Sequence, residues 1–435
     1  MKEELHMPMS EGFKQDLFPS LGQLLAVFPA PFHIMHERGI IDTAQQLQGA
    51  LRQACPHYRN FFAVKANSNP EILKLLYGLG MGFDCSSIVE LRLARETGAK
   101  PEDIFFTSND TSSEELDEAM SAGGCILNLD DKGLIPKVPD PFPKLICFRW
   151  NPGNLRVIDS VIGNPETCKY GVPHEQIIEA YRLARQRGAE RFGLHAMLVS
   201  NERNWECHAQ TVCMLLAVCE QLQAELSIRM EFINMGGGLG IPYHLEDAPV
   251  DRVRLAEAAG NALSDFETKY GWRPALFSEN GRCVTGPHGV FIGRCINEKH
   301  GYREFRGLNA SAMAAVMRPT MYHPKGGYHH ITVFEPPQDE PVLCSVVGPA
   351  CEDSDRFGWD RLLSLHEGQH AIVHDTGAHA PEMGNNYNNR CRPPMLMLRC
   401  DSRIELIEPG QTNEELVARR YRYLEQPWSF TPAEQ

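Results

Sequence analysis

Phe61-Phe62-Ala63-Val64-Lys65-Ala66-Asn67-Ser68-Asn69 decides how this chain is read. The apolar run predicts a buried strand, and it closes on one lysine followed by small, turn-prone residues. A lysine at the exit of a buried strand is costly unless its amine has a partner or a task. Desolvation is expected to lower its pKa, freeing a nucleophilic amine able to form a Schiff base. The alternative is a strand-end lysine whose stem packs on protein while its ammonium reaches water.

Outward from this stretch, short apolar runs alternate with amphipathic helical patterns from about Pro31 to Arg149. Strands are predicted at Phe61–Lys65, Met81–Cys85, Asp103–Thr107, Cys125–Leu129, Leu145–Trp150, Phe192–Val199 and Met230–Met235. Helices are predicted over Pro70–Gly80, Ile88–Gly98 and Ser112–Ala122. Repeated βα units imply a parallel sheet with helices outside, and seven or eight of them over about 250 residues favour a closed (β/α)8 TIM-like barrel. After about Arg282 the pattern turns β-rich, with runs at Val290–Gly293, His330–Phe334, Val342–Val347 and Met395–Leu398 between Gly and Pro turns. The expectation is α/β: a barrel over 31–284 and a mostly antiparallel β domain over 285–435, with residues 1–30 as a further candidate part of the latter.

At 435 residues the chain has room for both. A formal charge of −14 argues against non-specific nucleic-acid binding and against an anionic membrane surface. No apolar run approaches the ~20 residues needed to span a bilayer. Residues 1–6 are polar and acidic, with no signal-peptide core behind them. Fourteen scattered cysteines without a CxxC pair fit neither a zinc site nor a disulfide framework, so no metal is expected and a reducing, cytoplasmic setting is.

Four further stretches carry chemistry. Met235-Gly236-Gly237-Gly238-Leu239-Gly240 follows a strand late in the barrel, where consecutive glycines make either a phosphate cradle or a tight turn. Ser278-Glu279-Asn280-Gly281-Arg282 places a carboxylate, a glycine and a cation at the next strand end, suited to a protonated ring nitrogen or to a polar turn. Cys351-Glu352-Asp353 is poor as a metal site and better as a thiol acid beside a carboxylate that grips an amine. A lone cysteine also serves as a small apolar residue. The Asn-, Tyr- and Arg-rich loop around Tyr387 suits either solvent or a polar ligand.

In order, AVKAN at Lys65, GFDCSS at Asp84, GGGLG at Gly236, ENGR at Glu279, RPTMY at Arg318, GPACEDSD at Cys351 and NNYNNRCRP at Tyr387 resemble the fold-type III pyridoxal-phosphate-dependent decarboxylases, and within them the diaminopimelate decarboxylase branch. The resemblance spans about Pro31 to Pro394 and implies an alanine-racemase-like barrel. It makes Lys65 the Schiff-base lysine, with Asp84 and Glu90 as acids close to it and to the cofactor. Gly236, Gly237, Gly238, Gly281, Arg282 and Ser200 match the phosphate side, and Glu279 the partner of the pyridine nitrogen. Cys351 matches the catalytic thiol acid, lent across a homodimer interface. Arg282, Arg318, Tyr322, Glu352 and Tyr387 match positions that meet the amino-acid substrate, Tyr387 also touching the cofactor.

Three positions depart from the family pattern. Met197 stands where a histidine stacks on the cofactor ring, Asn280 replaces the proline of EPGR, and His379 replaces the tyrosine of GAY. The resemblance implies decarboxylation of diaminopimelate to lysine, or of a close analogue. The departures favour a paralogue acting on another amino-acid-derived substrate, in a secondary, antibiotic or siderophore pathway. An alanine-racemase-like enzyme and a non-catalytic regulatory relative are the remaining readings. The first would lack the GPxCE cluster, and the second predicts loss of the lysine, the ring-nitrogen carboxylate or the thiol, all of which stand here.

Overall fold

Arg59–Ala63 (β1) is the first of eight parallel strands in a computed structural model that describes residues 8–156, 164–323 and 327–422. Gly82–Cys85 (β2), Ile104–Phe106 (β3), Ile126–Leu129 (β4), Leu145–Asn151 (β5), Arg191–His195 (β6), Phe232–Asn234 (β7) and Ala275–Ser278 (β8) follow. Each pairs in parallel with its neighbours, and Phe277 opposite Arg59 joins β8 back to β1, closing the barrel.

The barrel interior follows from which residues are large. Phe61, Phe105, Cys147 and Phe232, from alternate strands, form one buried layer, with Phe61 and Phe105 edge to face at 4.6 Å. The intervening strands yield space to them. A Cβ on Gly82 would lie 2.4 Å from the Phe61 ring, and one on Gly193 would lie 2.0 Å from that of Phe232. Helix starts are set by polar caps, including Asn69 before Pro70–Gly78 and a capping box of Ser112 and Glu115 before Ser113–Met120.

Two sequence expectations shift. The strand predicted over Phe192–Val199 ends at His195, whose pairs with Arg149 and Asn234 are the last of its two ladders. Residues 196–200 therefore leave the sheet and turn over the barrel rim. The barrel expected from 31 begins later, because Phe32–His36 pairs antiparallel with Gly289–His300 and parallel with Met395–Leu398. The chain divides into a first unit holding 37–288 and 377–382, and a second holding 13–36, 289–376 and the described residues from 383.

Among the described residues the second unit is a nine-stranded sheet with six antiparallel and two parallel pairings. Gly289–His300 is its longest strand and serves two sets of partners, with an irregularity between Cys295 and Asn297 that bends it from one to the other. Residues 1–6, polar and acidic in the sequence, lie outside the described residues.

Candidate active site

Because the strands are parallel, their C-terminal ends share one rim, and the first unit gathers its functional groups there. Lys65 sits on the single helical turn Val64–Ala66 just past β1. Asp84 lies in β2 and Glu279 follows β8. The Lys65 amine is 3.7 Å from Asp84 Oδ2, with the lysine side chain half exposed and Asp84 buried. Burial lowers the Lys65 pKa, but the carboxylates of Asp84, Glu279 and Glu90 outweigh it and raise the pKa above its ordinary value. The lysine expected to be a desolvated neutral amine is a stabilised ammonium. Asp84 is shifted the other way for an ion-paired acid: burial, then repulsion from Glu279, raise it to about 6 against the pull of Lys65. Glu90 is tied down, its Oε2 accepting from the Ser86 amide at 2.6 Å.

Glu279 has a fuller set of partners. Asn234 Nδ2 donates to Oε1 at 2.7 Å and His195 Nε2 lies 3.1 Å from Oε2. On its other side His195 Nδ1 meets the Asn128 amide at 2.9 Å, and Asn128 in turn reaches Thr107. Burial would raise the Glu279 pKa, but His195, then Lys65 and Arg149, lower it below its ordinary value and keep the carboxylate ionised. Asn128, His195 and Asn234 were not singled out in the sequence. Each closes or interrupts an apolar run at a strand end, the same signal that marked Lys65.

The glycine run and the ENGR turn face each other across β7 and β8. Gly236 and Gly238 have φ of +72° and +95°. A Cβ would lie 2.4 Å from the Ala196 oxygen at Gly236, 2.6 Å from the Glu279 oxygen at Gly237, and 2.5 Å from Ala66 Cβ at Gly281. Only backbone fits, which is what a phosphate cradle of amides requires. Asn280 binds the two loops: its amide donates to Asn60 Oδ1 at 2.8 Å, and its Oδ1 accepts from the Leu239 amide at 3.1 Å. Met197 Sδ takes the Gly237 amide at 3.2 Å. Ser200 lies half-buried on the same rim loop, Arg282 Nη1 donates to the Tyr243 hydroxyl at 2.7 Å, and the His379 amide donates to the Ala66 oxygen at 2.8 Å. An amine, an ionised buried carboxylate and a glycine turn with room only for backbone, gathered at one rim, fit pyridoxal phosphate.

In the second unit, Arg318 and Tyr322 lie a turn apart on the helix Arg318–Tyr322, with the guanidinium 6.0 Å from the tyrosine ring centre. Cys351, Glu352 and Tyr387 are exposed. The Cys351 amide donates to Asn388 Oδ1 at 2.7 Å, tying the thiol's loop to the turn that carries Tyr387. Buried Asp355 holds that loop from beneath, accepting from Ser311 Oγ at 2.9 Å and from the Ala350 amide at 2.8 Å. Asp355 is a structural member that the sequence did not mark.

The model of the pyridoxal-binding domain of pyridoxal-dependent decarboxylases matches residues 41–286. The chain belongs to the pyridoxal-dependent decarboxylase family. It is 41% identical to Protein TabA of Pseudomonas amygdali pv. tabaci, over 94% of this chain and 95% of that one. It is 31% identical to the diaminopimelate decarboxylase of Methanothermobacter thermautotrophicus, over 91% and 92%. Among solved structures, diaminopimelate decarboxylase from M. jannaschii in complex with L-lysine superposes with a TM-score of 0.83 at 26% identity, covering 91% of this chain and 93% of that one. The Helicobacter pylori enzyme with L-lysine gives 0.82 at 26%, covering 94% and 100%. This decarboxylase is therefore a pyridoxal-phosphate-dependent amino-acid decarboxylase built on a TIM barrel.

Proposed function

We propose that the decarboxylase acts on an amino acid with a second, distal carboxylate, diaminopimelate or a close analogue. Arg318 carries this reading: it is a guanidinium only 4% exposed at the position that the family resemblance assigns to the distal carboxylate. A diamine-forming enzyme for ornithine or lysine has no such carboxylate to bind. The L-lysine held by the solved relatives is what diaminopimelate becomes on losing carbon dioxide.

Lys65 would hold the cofactor, with Gly236, Gly237, Gly238, Gly281, Arg282 and Ser200 on its phosphate and Tyr387 beside it. Pyridoxal phosphate supplies an electron sink for the carbanion left when carbon dioxide departs. Asp84, buried 3.7 Å from the Lys65 amine, would hold that amine in position and in its charged form. Glu279, kept ionised by His195 and Asn234, would hold a proton on the pyridine nitrogen. Arg318 and Tyr322 would orient the substrate from its far end, and Glu352 would meet its distal amine. Cys351 would return a proton to the α-carbon, reaching the site from the partner in a homodimer. All fourteen cysteines are free thiols, which suits a reducing cytoplasm.

A second reading has its own support. The chain is more similar to TabA, at 41%, than to the Methanothermobacter diaminopimelate decarboxylase, at 31%. Together with Met197, Asn280 and His379, this favours a modified substrate over diaminopimelate itself. Carbon dioxide release from meso-diaminopimelate, its N-substituted analogues, lysine, ornithine and arginine separates the two. Release only from members with a distal carboxylate is expected, and release from ornithine or lysine but from none of the dicarboxylates would overturn the proposal.

A further inference from the structure

His329 joins two groups whose hydrogen-bonding roles are fixed. Its Nδ1 lies 2.7 Å from the backbone oxygen of His374, and its Nε2 lies 3.1 Å from Arg318 Nη1. A carbonyl oxygen can only accept, so Nδ1 carries the ring proton. A guanidinium can only donate, so Nε2 meets it with a lone pair. The ring is thus neutral and in a single tautomer. It is also fully buried.

The support behind His329 is rigid. His374 directly follows the strand His370–Val373, which pairs with Ile331–Val333 on one side and with Gly289–His300 on the other. The His374 ring is itself held, with Nε2 2.8 Å from Thr332 Oγ1. Arg318 is a long side chain with many rotamers, and a fixed acceptor at Nη1 selects among them before any ligand arrives. Because that acceptor is an uncharged ring, this contact orients the guanidinium without neutralising it.

We propose that His329 is a positioning residue for Arg318, and so helps determine selection for a substrate's distal carboxylate. The inference rests on the reading of Arg318 given above. A carboxylate is planar and binds a guanidinium best through two parallel hydrogen bonds, so recognition depends on the angle at which Arg318 is presented. The role belongs to substrate capture and not to the bond-breaking step, and it should appear in KM.

Two conservative variants of the holoenzyme test this with meso-diaminopimelate, or with whichever distal dicarboxylate the wild type decarboxylates. His329→Asn keeps a donor where Nδ1 stood but cannot reach Arg318. His329→Gln places an acceptor near the position of Nε2. His329→Asn is expected to raise KM by about tenfold with kcat little changed, since uniform binding is what it removes, and His329→Gln to recover most of the loss. An unchanged KM in His329→Asn, or equal loss in both variants, would overturn the positioning role. Arg318→Met distinguishes the two layers of the argument. If it raises KM while His329→Asn does not, only the positioning role fails. If it leaves KM unchanged, or if the wild type turns over only substrates lacking a distal carboxylate, the reading of Arg318 fails and the inference with it.

Discussion

At the scale of residues, the charge on Lys65 is set by its neighbours more than by its burial. Desolvation alone would lower its pKa, yet three carboxylates from separate segments reverse the shift, with Asp84 the strongest. Replacing Asp84 by Asn removes that contribution at little change in shape, so the Lys65 pKa should fall. The pH profile of Lys65 acylation in the apoenzyme, read by mass spectrometry, checks this, with the midpoint expected at lower pH in Asp84→Asn. A midpoint that stays or rises would show that Asp84 does not hold the ammonium. The place of Lys65 at the end of an apolar run was legible in the sequence. The direction of its shift was not, because Lys65, the Asp84–Glu90 segment and Glu279 are separate in sequence and meet only when the barrel closes. The same holds for Asn128, His195 and Asn234, whose roles depend on sharing one rim.

At the scale of elements, the strand and helix positions of the barrel were largely legible, since each βα unit is local and its apolar period shows within about a dozen residues. Phe32–His36 was not, because its partners lie more than two hundred residues away and its local pattern fits either sheet. The ENGR turn is a different case. Asparagine in place of the family's proline read as a departure, and the fold supplies its reason. Asn280 uses an amide that proline lacks to bond Asn60, and a side-chain oxygen to satisfy the Leu239 amide in the glycine loop. Asn280→Ala leaves the buried Leu239 amide unpaired and should cost about 1–3 kcal/mol. Asn280→Pro removes the backbone donor as well and should cost more, despite restoring the family residue. Urea unfolding of the apoenzymes measures both, and a Pro variant as stable as wild type would mean that the two loops are held by other contacts.

At the scale of the whole molecule, a chain of net charge −14 is expected to lose self-repulsion as acid titrates its carboxylates, but the second unit carries an opposing term. His33 is buried in the strand Phe32–His36 with neither ring nitrogen hydrogen-bonded, packed at 5.1 Å from the Phe291 ring. Desolvation lowers its pKa to about 3. A folded-state pKa below the unfolded one means that the unfolded chain takes up a proton first, so stability is full above pH ~6.5 and is lost as pH falls from there towards 3. For one such histidine the loss at pH 5 is roughly 2 kcal/mol relative to pH 8. His374, also lowered to about 3 by burial and by His330, adds to it in the same direction. Asp84 works against it, because its raised pKa lets the folded chain bind a proton below about 6. The His33 contribution can be isolated by difference. His33→Leu replaces two unsatisfied buried nitrogens by carbon and should be neutral or stabilising at pH 8. Its advantage over wild type should then widen by roughly 2 kcal/mol at pH 5, since leucine has no proton to gain on unfolding. Parallel denaturant titrations at the two pH values decide the matter. A constant difference between the proteins would mean that water or a partner reaches His33, and that the acid sensitivity of the molecule originates elsewhere.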